Sequence, residues 1–278
     1  MLKRLGLLFF AVSLLISCGK EKGGIEFDRT VPTYQKNLLV GDLALIQSLN
    51  FTNPASYELS IMGLTELTPN SLAGFISQRT RYIVGESYDY NRLASLSSSL
   101  GLTDFLGLSA ASNVVTVMTN VGGAVYLVGK STNTTYSLPV AGDDVSVNSP
   151  RVGIIKVGPG LFNNSKTNKF SPESYASRLM RLGTLFHEAR HSDGNGENAA
   201  FPHAMCESGD FEGHYACEAN TNGPYMVQAV MLNNFFQFCR TNNCSWNELS
   251  ALQLAAADAA SRLQRGSSFQ DPAPERLR

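Results

Sequence analysis

The residues best suited to chemistry lie in one ten-residue stretch, Leu185-Phe186-His187-Glu188-Ala189-Arg190-His191-Ser192-Asp193-Gly194. On a helix, positions four apart project from the same face about one turn apart. His187 and His191 can therefore grip one ion together, and zinc suits paired imidazoles. Glu188, beside the first histidine, can reach a water on that ion and take its proton. All four histidines of the chain (His187, His191, His203, His214) fall within 28 positions, although nothing in folding requires such clustering. The pattern points to one Zn2+ per chain with an open coordination position, because closed structural sites favour four Cys/His ligands.

The elements that must position this stretch are also legible. Ser171 as N-cap, Pro172 at the first helical position and Glu173 in the first turn predict a helix over 172–193. Tyr175, Leu179, Leu182, Leu185 and Phe186 form a one-sided apolar stripe along it. Ahead of it, Val114, Val115, Val117 and Val121, then 124–128 and 152–157, read as strands bounded by glycines. Behind it, Pro224 opens a helix through Cys239, and Ser245 with Glu248 forms a capping box for a last helix from Trp246 to about Leu263. Residues 25–112 read as mostly helical, with helices over 38–49 and 71–84, and 266–278 as a flexible tail.

The N-terminus is an export signal in form. Lys3 and Arg4 precede a 12-residue apolar run, Leu5 to Ile16, too short to span a bilayer as a stable helix. The run ends in Leu15-Ile16-Ser17-Cys18-Gly19, which resembles the lipobox of bacterial lipoproteins. That resemblance implies a signal peptide over 1–17, a diacylated Cys18, a tether over 18–24 and anchorage in the cell envelope, with Gly19 pointing to the outer membrane. The remaining four cysteines, Cys206, Cys217, Cys239 and Cys244, suit two disulfides in an exported protein. Short loops favour Cys206 with Cys217 and Cys239 with Cys244. Removing Lys3 and Arg4 with the signal takes the net charge from −1 to −3. No basic patch is present, so nucleic acid is not an expected partner.

Strands followed by a long helix carrying His-Glu-x-x-His resemble the zincin metallopeptidases over about 113–240, within a domain read over 113–265. The resemblance implies an α+β domain in which a small, mostly antiparallel sheet backs the active-site helix. It also implies hydrolysis of peptide bonds in a peptide or protein substrate, with Glu188 as general base. A third ligand is needed. His203 leads, since imidazole is a common ligand and Cys206 would fix it. Glu218 would resemble the gluzincin arrangement, and Glu197 completes a pattern similar to that of the metzincins with Glu in place of the last His. Tyr215 or Tyr225 could donate a hydrogen bond to the developing oxyanion, and Asp193 could orient a ligand histidine. A non-catalytic surface lipoprotein, its metal site closed by His214, and an amidase of cell-wall peptides are the alternatives.

Overall fold

The computed structural model describes residues 25–51, 53–88, 122–127, 135–140, 143–148, 152–162, 170–191, 193, 201 and 203–269. Helix and sheet are mixed: six α-helices and nine strands, in sheets of four, two and three strands, occur among these residues. The four-stranded sheet comprises β1 (Glu26–Phe27), β2 (Thr80–Val84), β3 (Gly122–Leu127) and β6 (Val152–Val157), in the order β1-β2-β6-β3. β1 and β2 pair in parallel, as do β2 and β6; only β3 with β6 is antiparallel. The expected mostly antiparallel sheet is therefore corrected to a mixed one. A parallel pair needs a long crossover, and α1 (Thr33–Leu45), α2 (Ser56–Met62) and α3 (Pro69–Arg79) supply it between β1 and β2.

The helix expected over 71–84 stops at Arg79 for two reasons. Arg79 turns its side chain inward to Asp193, and Thr-Arg-Tyr-Ile-Val at 80–84, β-branched and aromatic, suits the slot between β1 and β6. Thr68 and Ser71 form the capping box that opens α3. β4 (Thr135–Val140) and β5 (Asp143–Asn148) form an antiparallel hairpin that the pattern did not announce, and the strand expected over 114–121 lies outside the described residues.

The metal-motif helix, α4, spans Tyr175–His191 rather than 172–193. Ser171 caps a preceding turn, its Oγ accepting from the Glu173 N–H, and Ser174 Oγ accepts from the Ser177 N–H to open the helix itself. Fourteen of the 17 residues of α4 are buried, too many for a one-sided surface helix, and this makes it the central helix of the fold. α5 (Pro224–Thr241) crosses it closely at Gly183, where an added Cβ would meet Leu232 at 3.0 Å. α1 is tied to it by Asp42, whose carboxylate accepts two hydrogen bonds from Arg181 at 2.6 and 3.0 Å. One core, from Val31 and Leu39 through Phe75, Phe186 and Phe235 to Leu252, joins residues before and after the motif. The described part of 25–112 thus contributes to the same core as the motif helix.

α6 (Trp246–Ser261) opens on the expected Ser245/Glu248 capping box. After it the chain forms β9 (Leu263–Ser268), where a loose tail was expected from 266. β9 pairs with β8 (Tyr215–Asn220), which pairs with β7 (Ala204–Met205). This small sheet and its Cys206–Cys217 disulfide (Cα–Cα 5.0 Å) carry the chain past the end of α4, and Cys239–Cys244 (Cα–Cα 5.3 Å) closes the α5–α6 turn.

Candidate metal centre

α4 delivers His187 and His191 from the same face, as four-residue spacing requires, with ring centroids 5.0 Å apart. His203 arrives from the segment just before β7. Its Nε2 lies 3.3 Å from His187 Nε2 and 3.2 Å from His191 Nε2. Three nitrogens each about 2.05 Å from one tetrahedral ion would lie roughly 3.3 Å apart, so the spacing fits a single zinc-sized ion. Neutral imidazoles cannot satisfy three mutually facing nitrogens with one another, and a cation can. This buried His187/His191/His203 group could hold a metal ion.

The rings are fixed from behind. His191 Nδ1–H donates to the Phe201 carbonyl at 2.6 Å, which leaves the Nε2 lone pair facing the cluster. The Gln228 side chain, on α5, lies beside His187 and opposes the effect of its burial, but His187 Nδ1 is itself without a hydrogen-bond partner among the described residues. His203 Nδ1 is buried without a hydrogen-bond partner among the described residues, so packing must hold this ring instead. Tyr225, in the first turn of α5, packs its ring against His203 at 4.7 Å and 32° and against His187 at 4.6 Å, edge-on. Tyr225 is backed by the Arg262 guanidinium at 5.1 Å, which also lies 3.5 Å from the Phe211 ring.

Glu218 is not a member of the histidine group. Its carboxylate accepts the Tyr225 N–H at 2.7 Å and so caps α5 from a distance. Gly223 makes room for it: a Cβ there would stand 2.3 Å from the Glu218 Cδ. Glu197 lies outside the described residues. His214 and Tyr215 are exposed, Tyr215 standing opposite Met205 across β7 and β8, so neither belongs to the buried group. Asp193 has a different task from orienting a ligand. Its Oδ2 accepts from Arg79 Nε at 2.5 Å and from Arg190 Nη1 at 2.9 Å, all three side chains being fully buried. Arg190 also donates to the Asn222 and Ile61 carbonyls, both at 2.8 Å, and covers the Phe201 ring at 4.7 Å. The cluster pins the end of α4 to α2, α3 and the turn before α5.

Burial sets the protonation states. It lowers His187 to about 3 and His191 to about 4, and holds His203 well below its ordinary value, so all three are neutral, as metal binding requires. Glu188, fully buried beside the ligands, is pushed up to about 8 by desolvation. A cation at the histidines favours its charged form and acts against that shift. Tyr225 is raised to about 12, chiefly by burial, and keeps its proton.

Sequence reasoning missed Gln228, Phe201 and Arg79. Gln228 carried a signal, since it lies three residues after Tyr225 on one helix face. The Phe201 contribution is a backbone carbonyl, which leaves none.

No family model, curated protein or solved structure matches the chain. Its chemistry has to be read from the site itself.

Proposed function

We propose that this protein is a zinc-dependent peptidase, held in a bacterial envelope by lipid on Cys18, with its site on the periplasmic or surface face. The observation that carries the reading is the convergence of three neutral imidazole nitrogens with a fully buried glutamate adjacent in sequence. Zinc bound there would polarise a substrate carbonyl and lower the pKa of a coordinated water. His187, His191 and His203 would supply the three protein ligands and leave a fourth position for water or substrate.

Glu188 is the one carboxylate of the motif and stands on the same helical turn as His187. It takes the proton from the attacking water and passes it to the leaving amine, the two halves of one general acid–base role. Tyr225 keeps its proton and packs against the ligand rings, whereas Tyr215 is exposed, which favours Tyr225 as the oxyanion donor. The exposed position of His214 supports an open fourth position over a closed, purely structural site. Cell-wall peptide cross-links fall within the same chemistry as protein substrates.

The test is turnover of a peptide library by the purified chain. Chelation should abolish it and stoichiometric zinc should restore it. Glu188→Gln should abolish it while zinc stays bound; full activity in that variant would remove Glu188 from the mechanism.

A further inference from the structure

The chain has a single tryptophan, Trp246, and it is the most exposed large apolar side chain among the described residues, at 79%. Two tyrosines, Tyr34 and Tyr175, are also exposed, at 55% and 37%. Contacts of the two tyrosines, and of Glu248 two residues after Trp246, draw the starts of α1, α4 and α6 together. The Tyr34 hydroxyl donates to Glu173, and Tyr175 follows two residues later and packs edge-on against Phe238. The Ala176 N–H donates to Glu248, on the first turn of α6 with Trp246. At this end α1, α4 and α6 all begin. The histidines stand 12 and 16 residues further along α4 from Tyr175, about 18 and 24 Å away at 1.5 Å per residue.

Tryptophan and tyrosine, with an apolar body and a polar tip, are the side chains that settle at the headgroup level of a bilayer. Their hydrogen-bonding tips find water and phosphate there while the rings displace water from the acyl boundary. We propose that this aromatic end rests on the lipid bilayer, so that the metal centre faces water at the far end of α4. The inference rests on the lipid-anchor reading at Cys18 and adds an orientation to it. The chain outside the described fold has the length this needs. Glu26 pairs with Tyr82 on the edge strand of the four-stranded sheet, and residues 19–24 lie between it and Cys18. Six residues reach at most ~20 Å, the span of chain available to carry Cys18 from this edge strand toward the bilayer. The lipid supplies attachment, and the three rings fix which end faces down. A protein held this way meets substrates arriving from the aqueous phase.

The single tryptophan makes the test direct. The full chain is reconstituted in phosphatidylethanolamine/phosphatidylglycerol vesicles, a fraction of whose acyl chains are brominated, and Trp246 emission is recorded. Docking predicts a blue shift, quenching by the bromolipids and a severalfold fall in quenching by aqueous acrylamide. The double variant Tyr34→Ser/Tyr175→Ser should weaken bromolipid quenching while metal content stays unchanged. Emission of a water-exposed indole, untouched by bromolipid, overturns the docking face. The mass of the N-terminal peptide separates this from the anchor. Acylated Cys18 with a water-exposed Trp246 overturns the face alone. Unacylated Cys18 with a quenched Trp246 supports the face and overturns the anchor. Unacylated Cys18 with a water-exposed Trp246 overturns both.

Discussion

Two of the three histidines are held by a helix and the third by a loop, and the supports differ accordingly. His187 and His191 owe their spacing to the regular geometry of α4, whose last turn is fixed by the buried Arg79–Asp193–Arg190 cluster. His203 has no regular element. It depends on the Cys206–Cys217 disulfide three residues on, on the Tyr225 ring, and on its neighbours' imidazoles. A helix supplies direction cheaply, because local hydrogen bonds set it. A loop ligand has to be immobilised by side chains gathered from elsewhere, here from α5 and the small sheet.

The largest effect should come from breaking the helix-side support. Arg190→Met removes one of the two guanidinium groups that donate to Asp193, together with its hydrogen bonds to the Asn222 and Ile61 carbonyls. Removing one member of a buried charge cluster costs about 3–5 kcal/mol, to be read as a lower urea midpoint of the metal-free chain. If Arg190→Met unfolds at the wild-type midpoint, the cluster does not hold α4.

On the loop side, Cys206→Ser with Cys217→Ser opens a link between residues 11 apart. The expected loss is about 3 kcal/mol by chain entropy, with weaker zinc binding. The contrast between the two supports predicts that this variant loses more metal affinity per unit of stability lost than Arg190→Met does; equal ratios would erase the distinction. Smaller still is Tyr225→Ala, which should weaken zinc binding by about 10–100-fold, the range for groups that orient ligands. Tyr225→Phe keeps the ring and should bind zinc as the wild type does. If Phe fails as badly as Ala, the hydroxyl and not the stacking holds His203.

The smallest effect is in pH dependence. Burial raises Glu218 to about 8 in the folded chain, against 4.5 as the ordinary value, while the Tyr225 N–H and Arg190 pull the other way. A raised carboxyl pKa means that the folded state holds the proton longer than the unfolded one. Stability from this group is present below about 4.5 and is lost as pH rises through about 8. Glu218→Gln should flatten that decline in the zinc-free chain, gaining on the wild type between pH 5 and 9 in thermal unfolding. A variant that runs parallel to the wild type would show that Glu218 is already ionised.

What the sequence made legible follows the same division. The motif helix, β6, α5 and α6 announce themselves through spacing, capping residues and β-branched runs, all local signals. His203 could be ranked first but not separated from Glu218 by spacing alone, since both are reached through a loop and a disulfide. The parallel pairing of β1, β2 and β6 left no trace, because register between strands more than 50 residues apart is decided by packing. β2 reads as helix because Thr68-Pro69-Asn70-Ser71 is a clear helix start and Arg79 gives no sign of turning inward. The need for glycine at 223 is tertiary and leaves no local signal, because the Glu218 carboxylate occupies the space a side chain there would fill.

A single ion held by His187, His191 and His203 is what the site geometry implies. The measurement that tests it most directly is zinc content with X-ray absorption of the purified chain, wild type against His203→Ala and Glu218→Ala. The expected result is one zinc per chain bound by three imidazoles and a light-atom fourth ligand, lost in His203→Ala and kept in Glu218→Ala. Zinc kept in His203→Ala and lost in Glu218→Ala, or a sphere closed by four protein ligands, would contradict it.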